Sequence, residues 1–95
     1  MGKKYFRIAD VVSTCKVTEK FVLALEREHL IRARIRGRKK VYPVDQVDRV
    51  RVARVLTQDM GVNLEGVEVV LHMREQMITM RREFDVLLAS MRKRF

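Results

Sequence analysis

The sequence predicts a mainly α-helical fold: a winged helix-turn-helix with a two-strand basic wing, then a helix pair ending in a long dimerising coiled-coil helix. Three observations predict it. Two short segments with helical apolar spacing, one around Ile8 to Cys15 and one from Thr18 to about Glu28, flank a tight turn. A cationic ribbon follows, Arg32-Ala33-Arg34-Ile35-Arg36-Gly37-Arg38-Lys39-Lys40, in which six of nine side chains are positive and none is negative. From Val70 to Met91, apolar residues then recur at 3-4 spacing over three heptads.

The elements follow in order. Lys3-Lys4-Tyr5-Phe6-Arg7 reads as a short basic and aromatic strand. Ile8, Val11, Val12 and Cys15 fall on one face of a two-turn helix, too short to persist unless it packs. Lys16-Val17 makes the turn, and Thr18 caps a second helix with Glu19 in its first turn. Phe21, Val22, Leu25 and Leu30 give that helix its apolar stripe, while Lys20 and Arg27 stay outside.

In the ribbon, Arg32, Arg34 and Arg36 alternate with Ala33 and Ile35 at the strand period, so arginines take one face and apolar residues the other. Gly37 supplies the positive φ of a hairpin turn, and Pro43 ends the returning strand because proline cannot donate to a ladder. A third helix runs from Val44 to about Gln58. Its valines invite a strand reading, but Val44, Val47, Val50, Ala53 and Leu56 recur every three residues, and Pro43 with Asp45 marks a helix start. Arg49, Arg51, Arg54 and Asp48 are expected on its solvated face. Gly61 ends it, and Asn63 caps a final helix of about 30 residues, roughly 45 Å long.

That final helix carries two apolar stripes. Leu64, Val67 and Leu71 are expected to pack on the helix's own domain. Val70, Met73, Met77, Met80, Phe84, Leu87 and Met91 form the heptad seam, expected to meet the same seam of a second copy. The methionines make the seam adaptable, so parallel and antiparallel pairing both stay open. Residues 1–62 thus carry the winged helix-turn-helix with its following helix, and residues 63–95 the dimerisation helix, as one structural unit.

Composition narrows the function. The net charge of +9 is concentrated early: residues 1–44 hold twelve Lys/Arg against four Asp/Glu, as a binding face requires. The expected partner is double-stranded DNA, with a solvated charged loop as the alternative. Lys16, Thr18, Glu19 and Lys20 would enter the major groove, and Arg34, Arg36, Arg38 and Lys39 would grip phosphate. The 47% hydrophobic content argues against disorder. No apolar run approaches a membrane span and no signal peptide is seen, so a cytoplasmic protein is expected. The single cysteine, Cys15, reads as a buried small hydrophobe. No catalytic residue, metal site or cofactor is expected: His29 and His72 are isolated, and Glu68, His72 and Glu75 read as a solvated trio.

The chain also resembles the MerR family of transcriptional regulators over nearly its whole length. The resemblance is closest at Leu56-Thr57-Gln58-Asp59-Met60-Gly61-Val62-Asn63-Leu64-Glu65-Gly66-Val67-Glu68, which is similar to the heat-shock repressor (HspR-like) and chaperone-modulator (CbpM-like) branches. Glu26-Arg27-Glu28-His29-Leu30-Ile31 stands where the family has Glu-Arg-x-Gly-Leu-Ile, and Lys39 to Val47 resembles its approach to the third helix. The resemblance implies a dimeric DNA-binding regulator, and its heat-shock repressor branch implies a link to heat shock or chaperones. The chaperone-modulator branch implies the alternative partner, a DnaJ-type J-domain co-chaperone. Val22-Leu23-Ala24-Leu25 stands where DNA-binding members have Leu-Arg-Tyr-Tyr, and His29 replaces a glycine.

Overall fold

The computed structural model of the chain describes residues 3–94. Strand β1 (Tyr5–Phe6) leads into helix α1 (Ile8–Cys15) and helix α2 (Glu19–Arg27). Strands β2 (Arg34–Arg36) and β3 (Lys39–Pro43) form the wing, helix α3 (Val44–Arg54) continues into a π-helical turn (Val55–Asp59), and helix α4 (Leu64–Arg94) closes the order. The expected winged helix-turn-helix with a following helix pair is therefore present.

Side chains and backbone signals set the helix limits. Asp10 in the first turn of α1 accepts from the Arg7 N–H at 3.3 Å and from the Lys3 ammonium at 2.8 Å. Those two bonds hold its carboxyl below the usual carboxylate range. The Thr18 hydroxyl oxygen accepts from the Phe21 N–H at 3.0 Å and caps α2 as expected. The end of α2 is a Schellman motif. Leu30 N–H returns to the Leu25 carbonyl at 2.9 Å, and His29 N–H to Glu26 at 3.0 Å. His29 takes the left-handed conformation there, at φ +61°, and so does Lys16 after α1, at φ +57°.

The core forms where the helical stripes converge. Val11 and Cys15 of α1, Val22 and Leu25 of α2, Val47, Val50 and Ala53 of α3, and Val67 and Leu71 of α4 are all buried. Leu30, Ile31 and Tyr42 close the same cluster. Burial pushes the Cys15 thiol up, which fits a packing role.

Three expectations need correction. Val44 begins the every-third row of α3 but is exposed, because the core is covered only from Val47 onward. The arginines of α3 do not form a solvated face throughout. Arg49 is half-buried and donates its Nε to the Leu30 carbonyl at 2.7 Å while pairing with Glu75, and the Arg54 Nε is buried without a partner. The third helix does reach the Gln58 region, but its last turn widens. Thr57 donates its hydroxyl to the carbonyls of Ala53 and Arg54, and Met60 N–H reaches back to Val55.

Gly61, at φ +68°, breaks the chain direction, and Asn63 then caps α4 by accepting from the Gly66 N–H at 2.9 Å. The 31 residues of α4 span about 46 Å. Its buried residues end at Leu71, so the helix runs on past its own domain.

Candidate nucleic-acid interface

The wing is a hairpin within a three-stranded antiparallel sheet ordered β1-β3-β2. Arg34 pairs with Val41, Ile35 with Lys40 and Arg36 with Lys39, so Gly37 and Arg38 form a two-residue turn. Gly37 sits at φ +63°, the conformation that favours glycine at the first position of such a turn. On its other edge β3 pairs with β1, Tyr5 opposite Pro43 and Phe6 opposite Tyr42, and Val44 N–H extends the ladder to the Lys4 carbonyl.

Directly opposed residues share a face of a sheet. Arg34, Arg36 and Lys39 therefore occupy one face, with Arg38 in the turn, as the alternation predicts. Ala33 packs against the core, but the face that Ile35 takes is not covered along its whole length. Ile35 takes the second face, opposite Lys40, but is 70% exposed; the covered residue on that face is Tyr42, and Val41 is covered on the arginine face.

The wing cations fall into two groups. Lys40 is tied to Glu26 of α2 at 2.8 Å, and the Tyr42 hydroxyl donates to the same carboxylate at 2.7 Å. This carboxylate fastens the root of the wing to α2. Arg32, Arg34, Arg36, Arg38 and Lys39 are all exposed, and among the described residues none forms an ion pair. The Arg36 guanidinium lies 4.2 Å from the centroid of the Tyr5 ring.

On the helix-turn-helix, Lys16, Thr18, Glu19 and Lys20 are all exposed. The Thr18 oxygen accepts one bond as the α2 cap, which leaves its hydroxyl proton and one lone pair for an outside partner. The outward row of α2 continues through Leu23 and Arg27, both exposed. Leu23 was not expected on this surface, and Arg27, though expected outside, was not among the expected DNA contacts. The 3-4 spacing from Lys20 was the signal that could have found them.

The seam of α4 is open to solvent. Val70, Met73, Met77, Met80, Phe84, Leu87 and Met91 range from 36% to 67% exposed. Among the described residues no group of three or more His, Cys, Asp and Glu side chains is placed to hold a metal ion. No helix there is long and apolar enough to cross a membrane.

The arrangement can present five unpaired cations beside an exposed helix on a fold whose second face is an uncovered helical seam. Comparison with curated proteins and with solved structures gives no match. The family model described as MerR HTH family regulatory protein matches residues 6–88, from β1 through most of α4, and the chain therefore belongs to the MerR helix-turn-helix family of regulatory proteins.

Proposed function

We propose that the protein is a dimeric DNA-binding transcription regulator that reads duplex DNA mainly through phosphate contacts and shape. The carrying observation is the group of five exposed cations, without an ion pair among the described residues: Arg34, Arg36, Arg38 and Lys39 on a ribbon rooted to α2 through Glu26, and Arg32 beside it. Family membership supports the same reading. Arg34, Arg36, Arg38 and Lys39 would contact phosphate, and Lys16, Thr18, Glu19 and Lys20 would face the groove. Few of these groups suit base edges, which favours shape readout. Residues 63–95 would bring two copies together through the seam from Val70 to Met91, holding two wings toward one duplex.

The test is DNA affinity against salt. If the dimer covers ~6–10 phosphates, affinity should fall about 10³–10⁵-fold between ~50 and ~200 mM salt. A flat response in anisotropy titrations would remove the reading.

One observation favours a second reading. The outward row of α2 has the exposed Leu23 at its centre, flanked by Glu19, Lys20 and Arg27, so the net charge there is only +1. Such a face suits a protein partner, here a DnaJ-type J-domain co-chaperone. Titration with a purified J-domain distinguishes the two readings. Binding that Leu23→Glu abolishes, with no affinity for duplex DNA, would reverse the order.

A further inference from the structure

Of the five unpaired wing cations, Arg36 is the one that rests on an aromatic ring, at 4.2 Å from Tyr5. The sheet register puts the two residues on one face. Tyr5 pairs with Pro43 and Arg36 with Lys39, and Pro43, Val41 and Lys39 alternate onto one face of β3. Tyr5 and Arg36 therefore stand on the same face from opposite edges of the central strand. Tyr5 is half-buried and its backbone is held by the ladder, which places the ring beside the wing.

A guanidinium stacked by its flat face keeps its charge and its in-plane N–H donors. The ring occupies one side of the Arg36 guanidinium, and the N–H donors directed away from it stay free for phosphate, so the two contacts are compatible. Stacking also removes rotamer freedom before any partner arrives, which lowers the ordering cost of binding. Arg34, two residues earlier on the same face, has no such ring.

We propose that Tyr5 is a positioning residue for DNA binding: it pre-orients Arg36 so that the guanidinium edge meets a phosphate. This rests on the DNA-binding reading above. It brings β1, which precedes the helix-turn-helix, into the binding apparatus as a support for the wing.

Two measurements test it. In the free protein, the ring current of Tyr5 should shift the Arg36 side-chain methylene protons upfield in the NMR spectrum. The shift should persist in Tyr5→Phe and vanish in Tyr5→Leu; its absence from the wild type overturns the proposal even if Tyr5→Leu does not fold. In anisotropy titrations with a mixed-sequence duplex, Tyr5→Leu should weaken binding about two- to five-fold, and Tyr5→Phe should restore it. In an Arg36→Ala background, Tyr5→Leu should add nothing further. An equal loss in that background assigns Tyr5 a merely structural role and overturns the proposal. So does unchanged affinity of Tyr5→Leu while Arg36→Ala and Arg38→Ala still weaken binding. If the wild type binds no duplex, the DNA-binding reading falls and takes this one with it.

Discussion

Tyr42 and Glu26 meet across 2.7 Å between the wing strand and α2, and the Lys40 ammonium holds the other oxygen of the same carboxylate at 2.8 Å. Tyr42 is buried, so its hydroxyl depends on that one acceptor. Tyr42→Phe should cost about 1–2 kcal/mol, read as a lower urea midpoint at unchanged slope.

The same pair makes stability depend on pH. Burial works to raise the Glu26 carboxyl, but the hydrogen bonds from Lys40 and Tyr42 outweigh it and hold the group below its ordinary value. A depressed folded pKa gives stability that is present above the unfolded value, ~4.3, and is lost as pH falls through the folded one. Glu26→Gln should therefore be less stable than wild type at neutral pH, with the gap narrowing below about pH 4. Burial, aided by the Glu26 carboxylate, pushes the Tyr42 phenol above its usual range. That contribution is intact below ~pH 10 and fades above it, and Tyr42→Phe should abolish the alkaline loss.

His29 sits at φ +61° in the Schellman turn that ends α2, where a Cβ is unfavourable. His29→Gly should relieve ~1–2 kcal/mol of strain and add ~0.5–1 kcal/mol of chain entropy to the unfolded state. The net gain should be roughly 0.5–1 kcal/mol, whereas His29→Ala should gain nothing. Urea midpoints of the two variants check this, and equal stability would show that the turn carries no strain.

Arg49 links three elements. It stands on α3, donates to the Leu30 carbonyl after α2, and pairs with Glu75 on α4. Its side chain is 16% exposed against 60% for Glu75, so the two ends of one ion pair should respond differently. Arg49→Ala should cost about 2–3 kcal/mol because it strips a buried carbonyl as well, and Glu75→Ala less than ~1 kcal/mol. A double-mutant cycle in urea isolates the pair from the carbonyl bond.

Wing charges should divide the same way in DNA binding. Arg38 stands in the hairpin turn with no ion partner, while Lys40 is committed to Glu26. Arg38→Ala should reduce the slope of log affinity against log salt by about 1.8 for the dimer, the share of one phosphate contact in each copy. Lys40→Ala should leave that slope nearly unchanged while lowering stability. Equal slope changes would mean that the Glu26 contact opens on binding.

These contrasts mark where the sequence could be read and where it could not. Local signals were legible: the Thr18 and Asn63 caps, the Gly37 and Gly61 turns and the Val67-Leu71 stripe each rest on residues within one or two turns of chain. The fate of Arg49 was not, because its partners lie 19 and 26 residues away. Ile35 shows the limit of periodicity: alternation fixes which face a side chain takes, but not whether anything covers that face. The outward row of α2 was half legible. Arg27 read as external, yet Leu23 beside it carried no charge to mark it as surface.

The seam of α4 gives the last prediction. Phe84 is the seam's one aromatic residue, 58% exposed in one chain, and in a dimer it would face the same stripe of the partner helix. Phe84→Glu would bury two carboxylates without partners, and the dimer should weaken by at least ~3 kcal/mol, about 100-fold. Val86 is 70% exposed but lies off the 3-4 row, so Val86→Glu should leave association intact. Sedimentation equilibrium across a concentration series separates the two variants. Dissociation by Phe84→Glu alone assigns the seam, because added charge on the helix is then equal in both. Loss of the dimer in both variants would mean that the helices meet along a different face, and a wild type that stays monomeric at all concentrations would leave each wing to act by itself.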